Sequence, residues 1–336
     1  MKLYRCARIE GITGLEFCEE PDLPPPGPHQ VIMKVNASSL NFRELLFMRG
    51  ALGAWLQPNY IPVSDGAGTV IAVGPGVRRV KPGDRVAATF YENWVGGTLP
   101  QHSDTLGRGA IVEGMLRDTV LLGEEDLVAI PKHLSDEEAA TLPCAALTAW
   151  NALCEHGPLL PGQTVVVQGT GGVSLFALQF AKLFGARVIA TSSSDAKLAR
   201  LAELGADATI NYRDTPRWAD AVLEQTDGDG ADLVVEVGGA ATFAESVAAA
   251  RKGGRISVVG MLTGAPSPGD GFFMRGLAIA PIHVGSRQDF ESMNRAIDFH
   301  RLKPVIDSTF AFADVPDALR HLESQRHFGK IVIQHA

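Results

Sequence analysis

A run of β-branched residues that breaks into glycines is the clearest pattern in the chain. Val165, Val166 and Val167 are followed by Gln168-Gly169-Thr170-Gly171-Gly172-Val173-Ser174. Apolar residues then recur at i, i+3, i+4, i+7, i+8 and i+11, namely Val173, Phe176, Ala177, Phe180, Ala181 and Phe184. This spacing puts them on one face of a helix. The pattern predicts a strand, a glycine turn and a helix in immediate succession.

Further strand-like runs alternate with helix-like sequence through the middle of the chain. The runs are 187–191, 208–210, 232–236, 255–259 and 278–284, and helix-like segments include 197–204, 244–251 and 289–300. Such alternation predicts a parallel sheet with right-handed crossovers. Pro281 lacks the amide hydrogen that an interior strand needs, so we expect the last run at an edge or end of the sheet.

The first 122 residues have a different pattern, with short strands between turns rich in proline and glycine. Strand-like runs at 30–35 and 68–73 predict a compact, mostly β, barrel-like domain. Strand-like runs at 306–312 and 330–333 are expected to rejoin it. The predicted division is therefore residues 1–122 with 302–336 for this domain, and 123–301 for the parallel sheet.

Composition restricts the partners. The chain has 336 residues, 46% hydrophobic and 20% charged, with a formal net charge of −8. No basic cluster exceeds Arg78-Arg79, which argues against nucleic acid. No apolar run reaches the length of a membrane span, and the N-terminus does not have the pattern of a signal peptide. Four cysteines without a C-x-x-C motif indicate neither a disulfide framework nor a zinc ribbon. We expect a cytoplasmic protein.

The glycine turn carries the first candidate chemistry. Glycines there let the backbone approach a diphosphate, while the first helix amides and the helix dipole face the anion. Gly169, Gly171, Gly172 and Val173 are therefore candidate cofactor-binding residues, although the G-x-G-x-x-G pattern ends in Ser174. A sheet of this type without a nucleotide is the alternative, and the strand–helix alternation favours the dinucleotide crevice.

The chain resembles the medium-chain dehydrogenase/reductase superfamily from end to end, and looks most like its zinc-independent branch of quinone oxidoreductases and alcohol dehydrogenase-like relatives. The segments that carry the resemblance are 38–44, 62–68, 80–86, 139–150, the glycine turn and 328–333. The resemblance implies an α/β protein, with a Rossmann-type doubly wound parallel sheet and a mostly β GroES-like barrel domain formed by both chain ends. Related proteins often form homodimers through the sixth strand, but Pro281 makes that edge a doubtful template.

The resemblance also bears on zinc. Zinc enzymes of the superfamily bind the metal through Cys, His and a second Cys, with Glu beside the His. Here Asn41, Ser64 and Cys144 stand at or near the ligand positions and Asp65 at the glutamate. One thiolate and no imidazole do not make a tetrahedral site, so we expect no metal. Asn41, a donor to substrate or nicotinamide ribose, and Asp65, an ordering group, are then the candidate catalytic residues.

The expected absence of a Lewis acid favours one class of reaction. Alcohol oxidation is harder without a metal that lowers the hydroxyl pKa or polarises a carbonyl. We therefore expect an NADPH-dependent reductase of quinones or α,β-unsaturated carbonyls. A zinc-independent alcohol dehydrogenase or aldehyde reductase, and a cofactor-binding protein with little turnover, are the alternatives. Seven aromatic residues between Phe42 and Trp94 favour an apolar or planar carbonyl substrate, although core packing is their commoner use.

The end of the second predicted strand bears on NADP against NAD. NAD enzymes of this architecture place an acidic residue there, whereas this chain has Ser192, which does not repel a 2′-phosphate. Lys197 is placed to meet that phosphate as a point charge, and the resemblance adds Tyr212 to the same pocket. Each residue also has a structural interpretation, as a turn, a solvated helix face and a packing aromatic. Asp195 is expected to cap a helix beginning near Ala196, but in a shifted register it would favour NAD.

Four more positions complete the candidate cofactor site. By resemblance, Thr148 contacts the nicotinamide side; its hydroxyl bonded to its own helix backbone is the alternative. Gly238 and Gly260 follow the fourth and fifth strands, where backbone approaches the cofactor, or else form tight turns. By resemblance, Lys330 reaches the active site, with a surface lysine on a strand as the alternative.

Overall fold

The structure is a computed structural model that describes residues 1–51, 53–100, 107–265, 267, 269 and 271–335. In these residues the backbone forms fifteen β-strands and ten α-helices. The strands are β1 (Lys2–Cys6), β2 (Leu15–Glu19), β3 (Gln30–Ser39), β4 (Asp65–Val73), β5 (Arg85–Ala88), β6 (Thr119–Gly123), β7 (Leu127–Ala129), β8 (Thr164–Gln168), β9 (Arg187–Ser192), β10 (Ala208–Asn211), β11 (Ala231–Glu236), β12 (Ala250–Val258), β13 (Ala278–Pro281), β14 (Ile306–Ala311) and β15 (Lys330–Gln334). The helices are α1 (Phe42–Met48), α2 (Asp136–Ala139), α3 (Leu147–Cys154), α4 (Gly172–Leu183), α5 (Asp195–Glu203), α6 (Trp218–Gln225), α7 (Phe243–Ala249), α8 (Gly271–Arg275), α9 (Arg287–His300) and α10 (Val315–Glu323).

The chain divides into two compact units. The first contains Met1–Leu147 with Val284–Ala336, and the second contains Thr148–His283. The sequence-based boundaries at 122/123 and 301/302 differ from these. Residues 123–147 remain with the first unit because β7 pairs with β5. Residues 284–301 remain there as well, because Asn294 on α9 donates from Nδ2 to the Ala129 carbonyl at 3.0 Å. Neither contact is local in sequence.

The second unit contains a six-stranded sheet in the order β10-β9-β8-β11-β12-β13. Every neighbouring pair in it is parallel. From β8 the chain first builds outward to β10 and then returns to build outward from β11 to β13, so the order reverses between β8 and β11. This is the predicted doubly wound sheet. Val165, Val166 and Val167 at its centre are fully buried, as β-branched residues of an interior parallel strand usually are.

The edge of this sheet follows the prediction from Pro281. Strand β13 is an edge strand that pairs only with β12, and it ends at Pro281, where the sequence-based run continued to residue 284. Helix α7, which precedes β12, also ends earlier than predicted. Strand β12 begins at Ala250, which pairs with Ala231, so the backbone has left the helix by the position where the apolar pattern still predicts one.

The first unit contains a seven-stranded, mainly antiparallel sheet in the order β14-β15-β3-β4-β5-β7, with β6 also paired to β3, and a separate β1-β2 hairpin. The two chain ends meet in it, because β15 pairs antiparallel with β3, with Val332 opposite Ser39. The prediction that the C-terminal strands rejoin the N-terminal domain is confirmed. No helix in the described part of the chain is both long and apolar enough to cross a bilayer.

Candidate functional site

The glycine turn joins β8 to α4 at the point where the order of the sheet reverses. Gly169 has a φ of +72°, which favours glycine, but Gly171 has an ordinary φ of −77°. Apart from the residue itself and its two chain neighbours, no described atom lies within 4 Å of a Cβ built on either residue. The fold therefore gives no internal reason for glycine at 171, and the open space beside it fits a ligand that approaches the backbone closely.

The first turn of α4 faces the same place. Gly172 and Val173 open the helix, and its first amides lack partners within the helix. Ser174, which stands at the position of the third glycine, is buried, and its Oγ donates to the Gln168 carbonyl at 2.6 Å. The serine thus holds the start of the helix against the end of β8. This departure from the glycine pattern keeps the turn compact.

The end of β9 is where the sequence places it. Ser192 is the last residue of that strand and is buried, and its carbonyl accepts from the Tyr212 amide at 3.1 Å. Tyr212 is 41% exposed, so it is not a core aromatic. Lys197 lies in the first turn of α5. These three residues therefore lie on adjoining segments at or just after the carboxyl ends of β9 and β10.

The sequence suggested that Asp195 caps α5, but the structure shows that it does not. The N-cap residue is Ser194, and Asp195 is the first residue of the helix. Its carboxylate is exposed and accepts from Asn211 Nδ2 at 2.7 Å. The helix begins one residue earlier than the expected start, with Ser194 in an extended conformation before it. Ser192, rather than Asp195, stands at the strand end.

A buried acidic residue that the sequence analysis did not single out lies at the end of β11. Glu236 is fully buried, and its carboxylate accepts from Gln168 Nε2 at 2.9 Å and from the Ser246 hydroxyl. Thr242 Oγ1 also donates to it, at 2.6 Å. We call Glu236, Gln168, Thr242 and Ser246 the Glu236 cluster. The available signal was an acidic residue closing an otherwise apolar strand.

Gly238 and Gly260 follow β11 and β12 closely, as expected, but the structure gives them packing roles. A Cβ on Gly238 would lie 2.3 Å from Thr242 Oγ1, and one on Gly260 would lie 2.4 Å from the Val237 carbonyl oxygen. Close contacts inside the second unit therefore require glycine at both positions. These contacts agree with the tight-turn alternative, and a role of either glycine in cofactor binding stays a prediction.

The first unit brings Asn41, Asp65 and Lys330 together. Lys330 Nζ donates to Asn41 Oδ1 at 2.6 Å, and Asn41 Nδ2 donates to Asp65 Oδ2 at 2.9 Å. Ser64 Oγ donates to the other oxygen of Asp65 at 2.7 Å. We call Asn41, Ser64, Asp65 and Lys330 the Lys330 cluster. The orientation of the Asn41 amide is fixed by chemistry, since an ammonium only donates and a carboxylate only accepts.

The sequence allowed two interpretations of Lys330, as a surface lysine on a strand or as a residue that reaches the active site. It is only 3% exposed, so the surface alternative is wrong. Its ammonium also donates to the Leu40 carbonyl at 2.6 Å and lies 3.9 Å from Asp65 Oδ2. Lys330 had been grouped with the cofactor-binding residues, but the structure places it with the candidate catalytic residues, because β15 pairs with the end of β3.

Burial sets the electrostatics of the Lys330 cluster. Asp65 has no exposed surface, and burial raises the pKa of its carboxyl, while Lys330, Asn41 and Ser64 oppose that rise. Burial also raises the pKa of Glu44, whose Oε2 accepts from the backbone N–H of Asn41 at 2.9 Å. Asn41 is the partly exposed member of this group. It is therefore the side chain of the cluster that a substrate is best able to reach.

The remaining predicted site residue, Thr148, lies in α3 of the second unit and is 5% exposed. Most of the aromatic residues expected near a substrate are core residues. Five of the seven, Phe47, Tyr60, Phe90, Tyr91 and Trp94, are at most 8% exposed, whereas Trp55 is 80% exposed. Packing therefore accounts for most of that enrichment.

Comparisons with known proteins agree with this architecture. Residues 27–132 match the family model described as alcohol dehydrogenase GroES-like domain, and residues 172–298 match zinc-binding dehydrogenase. A zinc-type alcohol dehydrogenase-like protein of Schizosaccharomyces pombe is 40% identical, over 91% of each chain. The chain belongs to the medium-chain dehydrogenase/reductase family, a family of oxidoreductases.

Two other relatives of this dehydrogenase/reductase differ in their names. A 2-methylene-furan-3-one reductase of Solanum lycopersicum is 34% identical, over 90% of this chain and 71% of the relative. A crystal structure named NAD-dependent alcohol dehydrogenase is also 34% identical, with a TM-score of 0.91 over 99% of each chain. The likeness therefore extends to proteins named for reduction and to proteins named for alcohol oxidation.

The family description mentions zinc, so the donor set of this dehydrogenase/reductase must be tested against that ion. Asn41 Oδ1 is bound to Lys330 Nζ, and the ammonium already places a positive charge beside Asp65. Burial, and then the Asp65 carboxylate, raise the pKa of the Cys144 thiol, which opposes the thiolate that zinc prefers. These residues do not fit a zinc ion. In the residues described, no group of three or more His, Cys, Asp or Glu side chains is placed to hold a metal.

Proposed function

We propose that this protein is an NADPH-dependent reductase of quinones or α,β-unsaturated carbonyl compounds that works without a metal ion. The observation that carries the proposal is the Lys330 cluster, in which a buried ammonium is hydrogen-bonded to Asn41 at 2.6 Å. A site with an internal cation and no set of metal donors suits a substrate that is already electron-poor. Simple alcohols would need a Lewis acid to lower the pKa of the hydroxyl.

A reduced nicotinamide, when bound, supplies the hydride. The residues of this chain would hold it in the order expected for a doubly wound sheet, with the diphosphate at Gly169 and Gly171 and the adenosine ribose at Ser192. The open space beside Gly171 supports this assignment, because no side chain or backbone from elsewhere in the described residues fills it. Thr148 is proposed for the nicotinamide side.

The preference for NADP rests on the end of β9. Ser192 carries no charge that would repel a 2′-phosphate, and Lys197 and Tyr212 lie on adjoining segments. Asp195, the residue that would favour NAD, is engaged with Asn211. The relative named as NAD-dependent favours the opposite choice, so the two cofactors must be compared directly.

Asn41 is proposed as the residue that contacts the substrate oxygen. One hydrogen of its Nδ2 is directed to Asp65 at 2.9 Å, whereas the contact of Nδ2 with Ser64 Oγ is long, at 3.4 Å. The second hydrogen is therefore weakly held and suited to donate to an oxygen on which charge develops. Asp65 and Lys330 act through Asn41 as positioning residues.

The alternative with a specific observation in its favour is a metal-independent alcohol dehydrogenase or aldehyde reductase, because two similar proteins carry alcohol dehydrogenase names. The same donors would then act on an aldehyde oxygen. A conjugated substrate differs in accepting the hydride at carbon remote from the oxygen, so it depends less on polarisation of the carbonyl.

The test is to mix the purified protein with NADPH and a panel of quinones, enones and simple aldehydes and to follow the loss of the reduced-cofactor absorbance. We expect turnover with quinones or enones that a chelator leaves unchanged. Turnover with aldehydes alone would favour the alternative, and binding of NADPH without oxidation across the panel would indicate a cofactor-binding protein. Asn41→Ala should lower kcat with little change in the Kd of NADPH.

A further inference from the structure

The carboxylate of Glu236 is an uncommon feature of a sheet core. It has no exposed surface, and among the described residues its hydrogen-bond partners are N–H and O–H groups. Besides the three side chains of the Glu236 cluster, the amides of Gly238 and Gly239 donate to Oε1 at 2.7 and 2.9 Å. Five donors and no acceptor are the pattern of an ionised carboxylate, and they offset the loss of water around a buried charge.

This charge lies at the point where the order of the sheet reverses. Glu236 is the last residue of β11, and Gln168, which donates to it, is the last residue of β8. These two strands flank the point where the sheet order reverses. Ligands of doubly wound sheets bind at this point, outside the carboxyl ends of the strands.

Glu236 also holds the loop that follows the next strand. Its backbone carbonyl accepts from the amides of Val259 and Gly260 at 2.8 and 3.2 Å. One residue therefore fixes the segments after β8, β11 and β12. The diphosphate belongs at the turn after β8 and the adenosine ribose at the end of β9, so the other half of a dinucleotide extends over β11 and β12.

That half carries the nicotinamide, whose ring is cationic when oxidised and neutral when reduced. A buried anion near the ring would attract the oxidised form more strongly, and such an attraction is larger inside a protein than in water. Tighter binding of the oxidised form makes the bound couple a stronger hydride donor, which suits a reductase.

We propose that Glu236 is the positioning residue of the nicotinamide half of the crevice, and that its buried charge raises the affinity for the oxidised cofactor relative to the reduced one. The proposal rests on the proposed function only in requiring that a nicotinamide dinucleotide binds. It does not depend on the substrate or on NADP rather than NAD.

The experiment is calorimetric titration of wild type and Glu236→Gln with NADP⁺, NADPH, NAD⁺ and NADH. The amide keeps the shape of the side chain and removes its charge. We expect the ratio of the oxidised-form Kd to the reduced-form Kd to rise by about tenfold in the variant, as loss of a nearby charge in a partly desolvated site would give. An unchanged ratio with both forms still bound would overturn the proposed role of the charge.

Asp232→Asn is the matched control. Asp232 lies on the same strand, and its carboxylate accepts from the Thr164 amide at 2.8 Å and from Arg251 Nε at 2.6 Å. It stands at the opposite end of β11, away from the carboxyl ends, so the Kd ratio should stay at the wild-type value. A shift like that of Glu236→Gln would show that the effect is not specific to the crevice.

Thr242→Val keeps the proposal testable if Glu236→Gln does not fold. It removes one donor but leaves the charge, so both cofactor forms should bind several-fold more weakly while their ratio changes little. Unchanged affinity for both forms would overturn the positioning role. Failure of wild type to bind any of the four nicotinamide cofactors would overturn the proposed function and this inference together.

Discussion

The two units each hold a buried polar cluster, and the clusters are neutralised in different ways. In the Lys330 cluster a carboxylate faces an ammonium, with Asn41 hydrogen-bonded to both. In the Glu236 cluster a carboxylate is surrounded by amides and hydroxyls, with no cation among its hydrogen-bond partners. Removing one member of an ion pair leaves a whole charge uncompensated, whereas removing one of five neutral donors does not. The first cluster should therefore be much more sensitive to a single substitution.

The largest expected effect is that of Lys330→Met. Without the ammonium, the buried Asp65 loses the charge that most strongly opposes the rise of its pKa, and the free energy of unfolding should fall by about 3–5 kcal/mol. Urea denaturation near neutral pH measures this loss. Activity should fall with it, since Asn41 loses the donor that fixes its orientation.

The double variant Lys330→Met/Asp65→Asn distinguishes charge from packing. Removing both charges should destabilise the protein by clearly less than the sum of the two single losses, because the double variant contains no buried charge without its partner. Strictly additive losses would mean that the aliphatic stem of Lys330, not its charge, stabilises the first unit.

Acid provides a second contrast, through His335 of the first unit. Burial lowers the pKa of this ring to about 3, and its Nε2 lies 2.9 Å from Ser38 Oγ. The unfolded chain takes up the proton near the ordinary histidine pKa of about 6.5. Stability should therefore fall as the pH is lowered from about 6.5 toward 3, by at most about 1.4 kcal/mol per pH unit.

Comparison with His335→Gln isolates this contribution. Burial raises the pKa values of Asp65 and Glu44, so these groups act in the opposite direction in both proteins. The difference in unfolding free energy between wild type and variant should narrow as the pH falls from about 7 to about 5. A constant difference over that range would contradict the assignment.

In the Glu236 cluster we expect a smaller loss from Ser246→Ala, about 1–3 kcal/mol, because four donors to the carboxylate remain. Ser257→Ala is the matched control, since Ser257 is a buried serine of the same unit that donates to the neutral Ala152 carbonyl at 2.7 Å. The loss of unfolding free energy in Ser257→Ala should be smaller than that in Ser246→Ala. Equal losses would indicate that the charge of Glu236 adds little to the bond.

The smallest effect on stability, and a specific one on binding, is expected from Lys197→Ala. Removing a point charge beside a 2′-phosphate should weaken the binding of NADPH by about tenfold and change the binding of NADH very little. Fluorescence titration with both cofactors measures the two affinities. Equal weakening of NADPH and NADH would show that the phosphate pocket lies elsewhere.

Local patterns were enough to predict the second unit. Its valine-rich strand, glycine turn and amphipathic helix occupy one continuous stretch, and each strand that follows overlaps a strand-like run of the sequence. The position of Ser192 at the end of β9 followed from counting along such elements. The boundaries between units did not follow, because they depend on β7 pairing with β5 across about forty residues of sequence.

The site residues show the same limit. Asn41 and Lys330 are 289 positions apart, so no local pattern reveals that one donates to the other. The burial of Lys330 follows from the pairing of β15 with β3, whereas the sequence predicted only that the C-terminal strands rejoin the N-terminal domain. Glu236 is different, since an acidic residue at the end of the run Asp-Leu-Val-Val-Glu was visible in the sequence and its network was not inferred.

The pairing of β15 between β14 and β3 has a consequence for biosynthesis. A ribosome releases the N-terminal strands first, yet their sheet lacks β15 until residues 330–334 emerge. The parallel sheet is encoded without interruption, so a nascent chain can complete it earlier. Translation arrested just before Lys330 should therefore yield a protease-resistant second unit attached to a protease-sensitive first one.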